Sequence, residues 1–163
     1  MIVKAFDKEI IDQVLSGLWQ RGKDEAELFG LSVEDLKAGF VRKIGQPWAL
    51  SFHVTHSAPA AAICYMDFIG IYKWRTYFAA TEEGFNGAWL PISVFMKRIS
   101  DYLVKEGNET GYIESLSDGR NKKAEEWFNS MGFILLSSMG NINKYVKFGK
   151  MYAAVGHGAT MRG

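Results

Sequence analysis

The feature that most restricts the fold of this chain is a nearly unbroken apolar run from Ala60 to Ile69, which begins after Pro59 and ends at Gly70. The run is much shorter than the ~20 apolar residues that a membrane-spanning helix needs. A β-strand that is apolar on both faces has to be buried on both faces, as central strands of covered sheets are. We therefore expect this segment to be a central strand, with helices packed on both sides of its sheet.

The hydrophobic periodicity of residues 1–148 predicts the element order β-α-α-β-β-β-α-β-α-β-β. Three consecutive strands favour antiparallel pairing, whereas the strand–helix alternation that follows them favours some parallel pairing. The predicted fold class is therefore α/β, with an α+β-type mixed sheet and helices on both faces. The first helix is expected to begin after Asp7 and to be interrupted at Gly22. The strongest helix is expected to have Pro91 in its first turn and to end before Gly107.

Length and charge limit the organisation of the chain and its partners. The 163 residues fit one domain, which we assign to residues 1–148. Residues 149–163 include four glycines and show little periodicity, so we interpret them as a C-terminal tail that orders on a protein partner. The 19 basic and 18 acidic residues give a net charge of +1, which provides no field to attract nucleic acid.

The few cysteines and histidines limit covalent and metal chemistry. Cys64 is the only cysteine, so the chain has no internal disulfide, and its apolar surroundings favour a buried, inert thiol over a nucleophile. His53 and His56 are too few for a metal site without further ligands, so none is expected. The N-terminus lacks the basic and long apolar regions of a signal peptide, so we expect a cytoplasmic protein without a membrane span.

One local motif carries a family resemblance. Asn121 and Ala124 precede Phe128, and Gly132-Phe133 follows, over a segment with helical periodicity. This spacing resembles the late motif of the GNAT acyltransferase superfamily, in which an Asn opens a helix, an aromatic residue faces the cofactor and a Gly turns the chain into the next strand. The element order of residues 1–148 is also that of this superfamily. The resemblance implies a GNAT-like fold.

The resemblance also implies a cofactor site. The superfamily binds the pyrophosphate of acetyl-CoA through a loop between its fourth strand and the next helix, which corresponds here to residues 81–89. The implied cofactor-binding residues are Gly84, Asn86, Gly87, Ala88, Asn121 and Phe128. Since backbone N–H groups make these contacts, Gly84→Asp is expected to abolish activity and to leave the fold intact.

Three residues depart from the pattern of the superfamily. Glu82 and Glu83 stand where a basic or amide residue is usual, and carboxylates repel a pyrophosphate. Phe128 stands where the superfamily often has the tyrosine that protonates the leaving thiolate, and a phenyl ring has no proton to donate. Tyr145 or Tyr112 can take that role only if the fold brings one of them near.

The remaining candidate concerns the acceptor amine. Glu114 lies in the predicted strand 111–116 and is our candidate for the general base. The alternative is a solvent-facing residue of an alternating strand. Glu114 and Tyr145 together are the candidate catalytic residues. Pro91 is expected to remove a further N–H donor close to the start of its helix.

A looser resemblance is to bacteriophage proteins with degenerate GNAT-like domains, some of which are internal virion proteins. It rests on the aromatic strand 74–80, the long helix after it and residues 125–133. We therefore predict a phage-encoded GNAT-like domain with a degenerate acetyl-CoA site and a structural or binding role in a virion or another assembly. Its location would be the host cytoplasm or the virion. The alternative is an active acetyl-CoA-dependent N-acyltransferase that acts on an amine.

Overall fold

In a computed structural model of the protein, residues 1–107 and 110–149 are described. They form the elements β1 (Ile2–Ala5), α1 (Lys8–Ser16), α2 (Gln20–Leu28), α3 (Val33–Val41), β2 (Leu50–His53), β3 (Ala60–Gly70), β4 (Lys73–Ala80), α4 (Glu82–Glu106), β5 (Tyr112–Asp118), α5 (Lys122–Ser130), β6 (Ile134–Met139) and β7 (Ile142–Phe148). The predicted tail lies outside the described residues, apart from its first residue, Gly149.

The seven strands form one sheet in the order β1-β2-β3-β4-β5-β7-β6. β4 and β5 are parallel, with Lys73–Arg75 paired to Tyr112–Glu114. β2 is antiparallel to β1 and β3, and β7 is antiparallel to β5 and β6. The combination of parallel and antiparallel pairs confirms the predicted fold class.

The chain divides into two compact units. The first consists of Met1–Met66 and Tyr77–Ile92, and the second of Asp67–Thr76 with the described residues from Ser93 onward. β3, β4 and α4 each contribute residues to both units. The assignment of residues 1–148 to one domain stays a prediction.

The predicted helix termini are confirmed where side chains cap them. The Asp7 carboxylate accepts a hydrogen bond from the third residue of α1, and Ser32 and Asp35 form a reciprocal capping box at the start of α3. Asn121 caps α5 with its side-chain oxygen. Gly132 follows α5 with φ of 85°, the left-handed conformation that glycine adopts most readily.

The first predicted helix is wrong in one respect. It is two helices, and the break lies at residues 17–19, whereas Gly22 lies inside α2. The Trp19 amide donates a hydrogen bond of 2.9 Å to the Ala80 carbonyl, and Leu18 forms an isolated bridge with Thr81. These bonds to the end of β4 take the place of helix bonds, so tertiary pairing overrides a pattern that was continuous in sequence.

The start of the longest helix was also predicted incorrectly. α4 begins at Glu82, and Pro91 is inside it, two and a half turns from its N-terminus. Gly84 and Gly87 weaken the helical pattern of this segment, which is why the sequence indicated a loop there. Since Pro91 lies well beyond the first turn, it does not remove an N–H donor from the helix terminus.

The apolar run that restricts the fold is buried over most of its length. Residues 60–66 of β3 are buried, as predicted for a central strand, whereas Phe68 and Ile69 are exposed near its end. Cys64 is buried, as predicted, and burial raises the pKa of its thiol to about 12, which disfavours the reactive thiolate. Within residues 1–107 and 110–149, no helix combines the length and apolarity needed to cross a membrane.

Candidate functional site

The predicted cofactor segment lies at the start of α4. Thr81 is the single residue between β4 and α4; its amide donates to the Ala61 carbonyl at 3.0 Å, and its hydroxyl accepts from the Gly84 amide at 3.1 Å. The first N–H groups of any helix have no intrahelical acceptor. At α4 these include the amides of Glu82 and Glu83, which lie at the positive end of the helix dipole.

The predicted cofactor loop is thus the first two turns of α4. A Cβ at Gly84 would lie 2.5 Å from the Ala61 Cα, so this glycine lets the helix approach β3 closely. An aspartate here would force α4 or β3 to move, which argues against the expectation that Gly84→Asp leaves the fold intact. A Cβ at Gly87 would meet nothing within 4 Å. Asn86 is exposed and Ala88 is buried, and contact of these residues with a cofactor stays a prediction.

An aromatic cluster packs beside this terminus within the same unit. The Trp19 ring lies 4.7 Å from the Phe85 ring and 6.2 Å from the Phe78 ring, centroid to centroid, in edge-to-face geometry. The Trp19 Nε1 is buried and has no hydrogen-bond partner among the described residues. A Cβ at Gly22 would lie 2.8 Å from this nitrogen, so Gly22 makes room for the indole ring.

Glu114 lies on β5 in the second unit and is not solvent-facing. Its residue is 3% exposed. Arg75 on β4 donates from Nε to the Glu114 carboxylate at 2.6 Å and contacts the same oxygen through a second nitrogen. The Tyr112 hydroxyl donates to the other oxygen at 2.9 Å, and the Lys144 ammonium lies 3.6 Å from it.

These contacts decide the ionisation of Glu114. Burial raises the pKa of the carboxyl, but the hydrogen bonds from Arg75 and Tyr112 and the charges of Arg75 and Lys144 lower it by more, so that it lies below its usual value of 4.5. A carboxylate held in its ionised form is a weak base. The role of Glu114 as a general base stays a prediction, and this ion pair argues against it.

Phe128 and Tyr145 form a stacked pair in the second unit. Phe128 on α5 and Tyr145 on β7 have ring centroids 4.4 Å apart and ring planes 12° from parallel. Both are buried, and Asn143 donates to the Tyr145 hydroxyl at 3.4 Å. The condition set from the sequence, that the fold brings a tyrosine near Phe128, is therefore met by Tyr145. Tyr112, the other candidate, donates its hydroxyl hydrogen bond to the Glu114 carboxylate.

Two charged residues with structural roles were missed from the sequence. Arg75 is the only arginine in the aromatic strand β4. A single guanidinium among aromatic residues is the sequence signal that could have indicated a buried acidic partner. Lys147 on β7 donates to the Met131 carbonyl at 2.8 Å and to the Ser100 hydroxyl at 3.0 Å, and lies 2.5 Å from the Asp101 carboxylate. It links β7 to α4 and to the end of α5. No spacing in the sequence indicates this role.

Comparison with known proteins gives structural matches only. No protein-family profile matches the sequence, and no curated protein matches it significantly. A GNAT-family acetyltransferase from Bacillus anthracis matches with a TM-score of 0.64 and 14% identity, covering 90% of this chain and 93% of the other. A variant of spermidine N-acetyltransferase from Vibrio cholerae matches with a TM-score of 0.63 and 11% identity, covering 91% of this chain and 95% of the other.

A third match was solved with its cofactor. It is a GNAT-superfamily phosphinothricin acetyltransferase from Sinorhizobium meliloti in complex with acetyl-CoA, with a TM-score of 0.58 and 9% identity, covering 93% of this chain and 90% of the other. Identities this low show the architecture and leave substrate and activity open. This chain has the fold of the GNAT-family acetyltransferases.

Proposed function

We propose that this chain binds acetyl-CoA and transfers its acetyl group to an amine. The observation that carries the proposal is the start of α4, where a helix capped by Thr81 follows β4 and presents the positive end of its dipole, the feature that favours anions at helix N-termini. The likeness in fold to acetyltransferases, one of them solved with acetyl-CoA, supports it.

The residues at the start of α4 fit a pyrophosphate, with one opposing feature. The open space beside Gly87 leaves that turn of the helix accessible. Glu82 and Glu83 are exposed, so water and salt screen their carboxylates from a bound anion. Their charge still reduces the affinity, so we expect this terminus to hold the cofactor weakly.

Acetyl-CoA, when bound, supplies a thioester whose carbonyl carbon is open to attack by an amine. The protein then has to hold the pyrophosphate and to protonate the sulfur as the C–S bond breaks. We assign the second task to the hydroxyl of Tyr145, whose ring stacks against Phe128. Glu114 is the weaker candidate for removing the amine proton, since Arg75 holds it as a carboxylate.

The cofactor proposal predicts how the acidic residues at the start of α4 affect affinity. Glu82→Gln and Glu83→Gln should each lower the dissociation constant of acetyl-CoA about two- to fivefold, because each removes a nearby negative charge worth roughly 0.5–1 kcal/mol. Isothermal titration calorimetry at low and high salt would measure the change, which should shrink at high salt. Glu106→Gln, at the far end of α4, is the matched control and should have no effect.

Failure of the wild-type chain to bind millimolar acetyl-CoA in this titration would contradict the proposal. Affinity that is the same in all three variants would place the pyrophosphate elsewhere. A thermal-unfolding scan provides an independent readout, since ligand at ~100 times its dissociation constant stabilises the folded state by about 2.7 kcal/mol.

The proposed acid predicts a split between binding and turnover. Tyr145→Phe should lower kcat about 100-fold or more, because it removes the proton donor. The dissociation constant of acetyl-CoA and the unfolding midpoint should change little, since the ring and its stacking on Phe128 remain. Thiol release would be followed with an amine panel that includes spermidine and phosphinothricin, the compounds named for two structural relatives.

Unchanged kcat with a normal fold would remove Tyr145 from the mechanism. The reciprocal variant Phe128→Tyr, which restores the residue usual in the superfamily, should leave kcat unchanged or raise it.

A second candidate function is a binding or structural role without chemistry, including the predicted role in a phage virion. Two observations favour it: carboxylates flank the α4 terminus, and Phe128 occupies the position of the usual acid. The fold comparisons do not bear on phage origin or a virion partner. Absence of acetyl-CoA binding combined with stable capture of a partner from the source organism would favour this role.

A further inference from the structure

The turn between β3 and β4 is apolar and exposed. It consists of Ile71 and Tyr72, which are 78% and 45% exposed. The adjoining end of β3 adds Phe68 at 66% and Ile69 at 44%. We call these four side chains the hairpin tip. No acidic or basic residue occurs among residues 68–72. Apolar clusters that stay exposed are uncommon and mark surfaces that another segment covers.

The backbone of this turn is also unusual for the residue that occupies it. Tyr72 has φ of 55°, in the left-handed region where turns normally place glycine or asparagine. This conformation is unfavourable for a bulky side chain, so contacts of the ring are needed to offset it. The ring lies 6.5 Å from the Trp74 ring, centroid to centroid, yet nearly half of Tyr72 stays exposed. A further contact would use that exposed part.

The last described residue lies close to the hairpin tip. Gly149 is buried, and its amide donates to the Gly111 carbonyl at 2.8 Å. The next residue along the chain from Gly111, Tyr112, donates its amide to the Tyr72 carbonyl at 2.9 Å. Gly149 and Tyr72 are therefore two strand spacings apart, about 10 Å. Both belong to the second compact unit. Residues 150–163 thus continue from a fixed point beside the tip.

The residues that follow Gly149 have the composition and the length to cover the tip. Lys150 is followed by the uncharged run Met151-Tyr152-Ala153-Ala154-Val155. Six extended residues span up to about 20 Å, roughly twice the distance from Gly149 to Tyr72. A tether this short gives an effective concentration in the millimolar range, whereas a second copy has to reach the tip from dilute solution. The segment of the same chain is therefore the favoured occupant.

We infer that residues 151–155 dock on the hairpin tip of the same chain and cover its apolar side chains. The driving force is the removal of apolar surface from water on both the segment and the tip. The short loop that closes between Gly149 and the tip keeps the entropy cost low. This assigns the C-terminal tail to the chain's own hairpin rather than to a protein partner. It does not depend on whether the chain binds acetyl-CoA.

Disulfide cross-linking in the full chain tests this contact. Ile71→Cys with Ala154→Cys places one thiol on the tip and one in the segment. Both changes leave the large apolar side chains of the segment in place. The native Cys64 does not interfere, since it is buried and its thiol has a raised pKa.

Glu106→Cys with Ala154→Cys is the matched control pair. Glu106 is exposed and outside the tip. It precedes Gly107, where an added Cβ would lie 2.5 Å from the Gly111 Cα, so it is also close to the point from which the tail continues. A tail that only samples this region reaches both thiols, whereas a docked segment favours the one on the tip.

Oxidation at about 1 and 50 µM protein, followed by thiol counting and non-reducing gel electrophoresis, would measure the rates. We expect the tip pair to form an intramolecular disulfide at least about tenfold faster than the control pair, at a rate independent of protein concentration. Met151→Asn with Val155→Asn, added to the tip pair, should lower its rate to that of the control. Circular dichroism would verify that each variant is folded.

Two results would overturn the inference. Equal rates for the tip pair and the control pair would mean that the segment does not dock on the tip. A covalent dimer whose yield rises with protein concentration would mean that the tip binds the tail of a second copy.

Discussion

Gly84→Ala is expected to lower the free energy of unfolding by about 1–3 kcal/mol, although alanine is the better helix former. Its Cβ would lie 2.5 Å from the Ala61 Cα and 2.6 Å from the Thr81 hydroxyl, distances that require α4 or β3 to move. Urea denaturation would measure the change, with an unaltered slope as evidence that the two-state transition is preserved.

Gly87→Ala is the matched control, one helical turn further along α4. A Cβ at Gly87 meets nothing within 4 Å, so this variant should gain about 0.5–1 kcal/mol from helix propensity alone. If both variants are stabilised, then α4 does not lie close enough to β3 for a Cβ at Gly84 to clash with Ala61. The same pair of variants tests the cofactor proposal, because displacement of the α4 terminus by Gly84→Ala should also weaken acetyl-CoA binding.

Arg75→Met is expected to cost about 3 kcal/mol of folding free energy, because it leaves the Glu114 carboxylate buried without its main partner. Removing both groups together, in Arg75→Met with Glu114→Leu, should recover most of this loss, since the cost arises from an uncompensated buried charge. Lys97→Met is the control: its ion pair with Asp101 is about half exposed and should contribute less than about 1 kcal/mol.

The pH dependence of this loss has a definite sign. In the wild type the pKa of Glu114 is lowered, so its contribution is complete above 4.5 and is lost as the pH falls through the folded-state pKa. In Arg75→Met the buried carboxyl favours its protonated form. The stability difference between the two proteins should therefore narrow as the pH falls from 7 to 4. A constant difference over this range would mean that Glu114 does not cause the loss.

The sequence indicated the elements of this fold because local chemistry specifies them. Asp7, the Ser32–Asp35 box and Asn121 cap their helices through side chains that lie within three residues of the amides they accept from. The bounds of β7 agree with the prediction, and the buried part of β3 follows from an apolar run that no exposed strand would carry. Such signals are readable because both partners lie in one short segment.

The errors occurred where a distant segment competes with the local pattern. Trp19 leaves the first helix because its amide bonds to Ala80, and α4 begins early because Thr81 is fixed to Ala61. The two glycines of α4 look alike in sequence, yet Gly84 faces β3 and Gly87 faces open space. Which glycine is required for packing depends on that neighbouring strand.

The candidate site divides in the same way. The sequence by itself determined that Phe128 stands at the position of the usual acid and that Glu82 and Glu83 precede Gly84. It also determined that another tyrosine has to lie near Phe128 if the thiolate is to be protonated. Only the tertiary structure decided that Tyr145 stacks on Phe128, and that Glu114 is bonded to Arg75. Seventeen and 39 residues separate these partners along the chain, and only strand pairing and helix packing bring groups so far apart in sequence into contact.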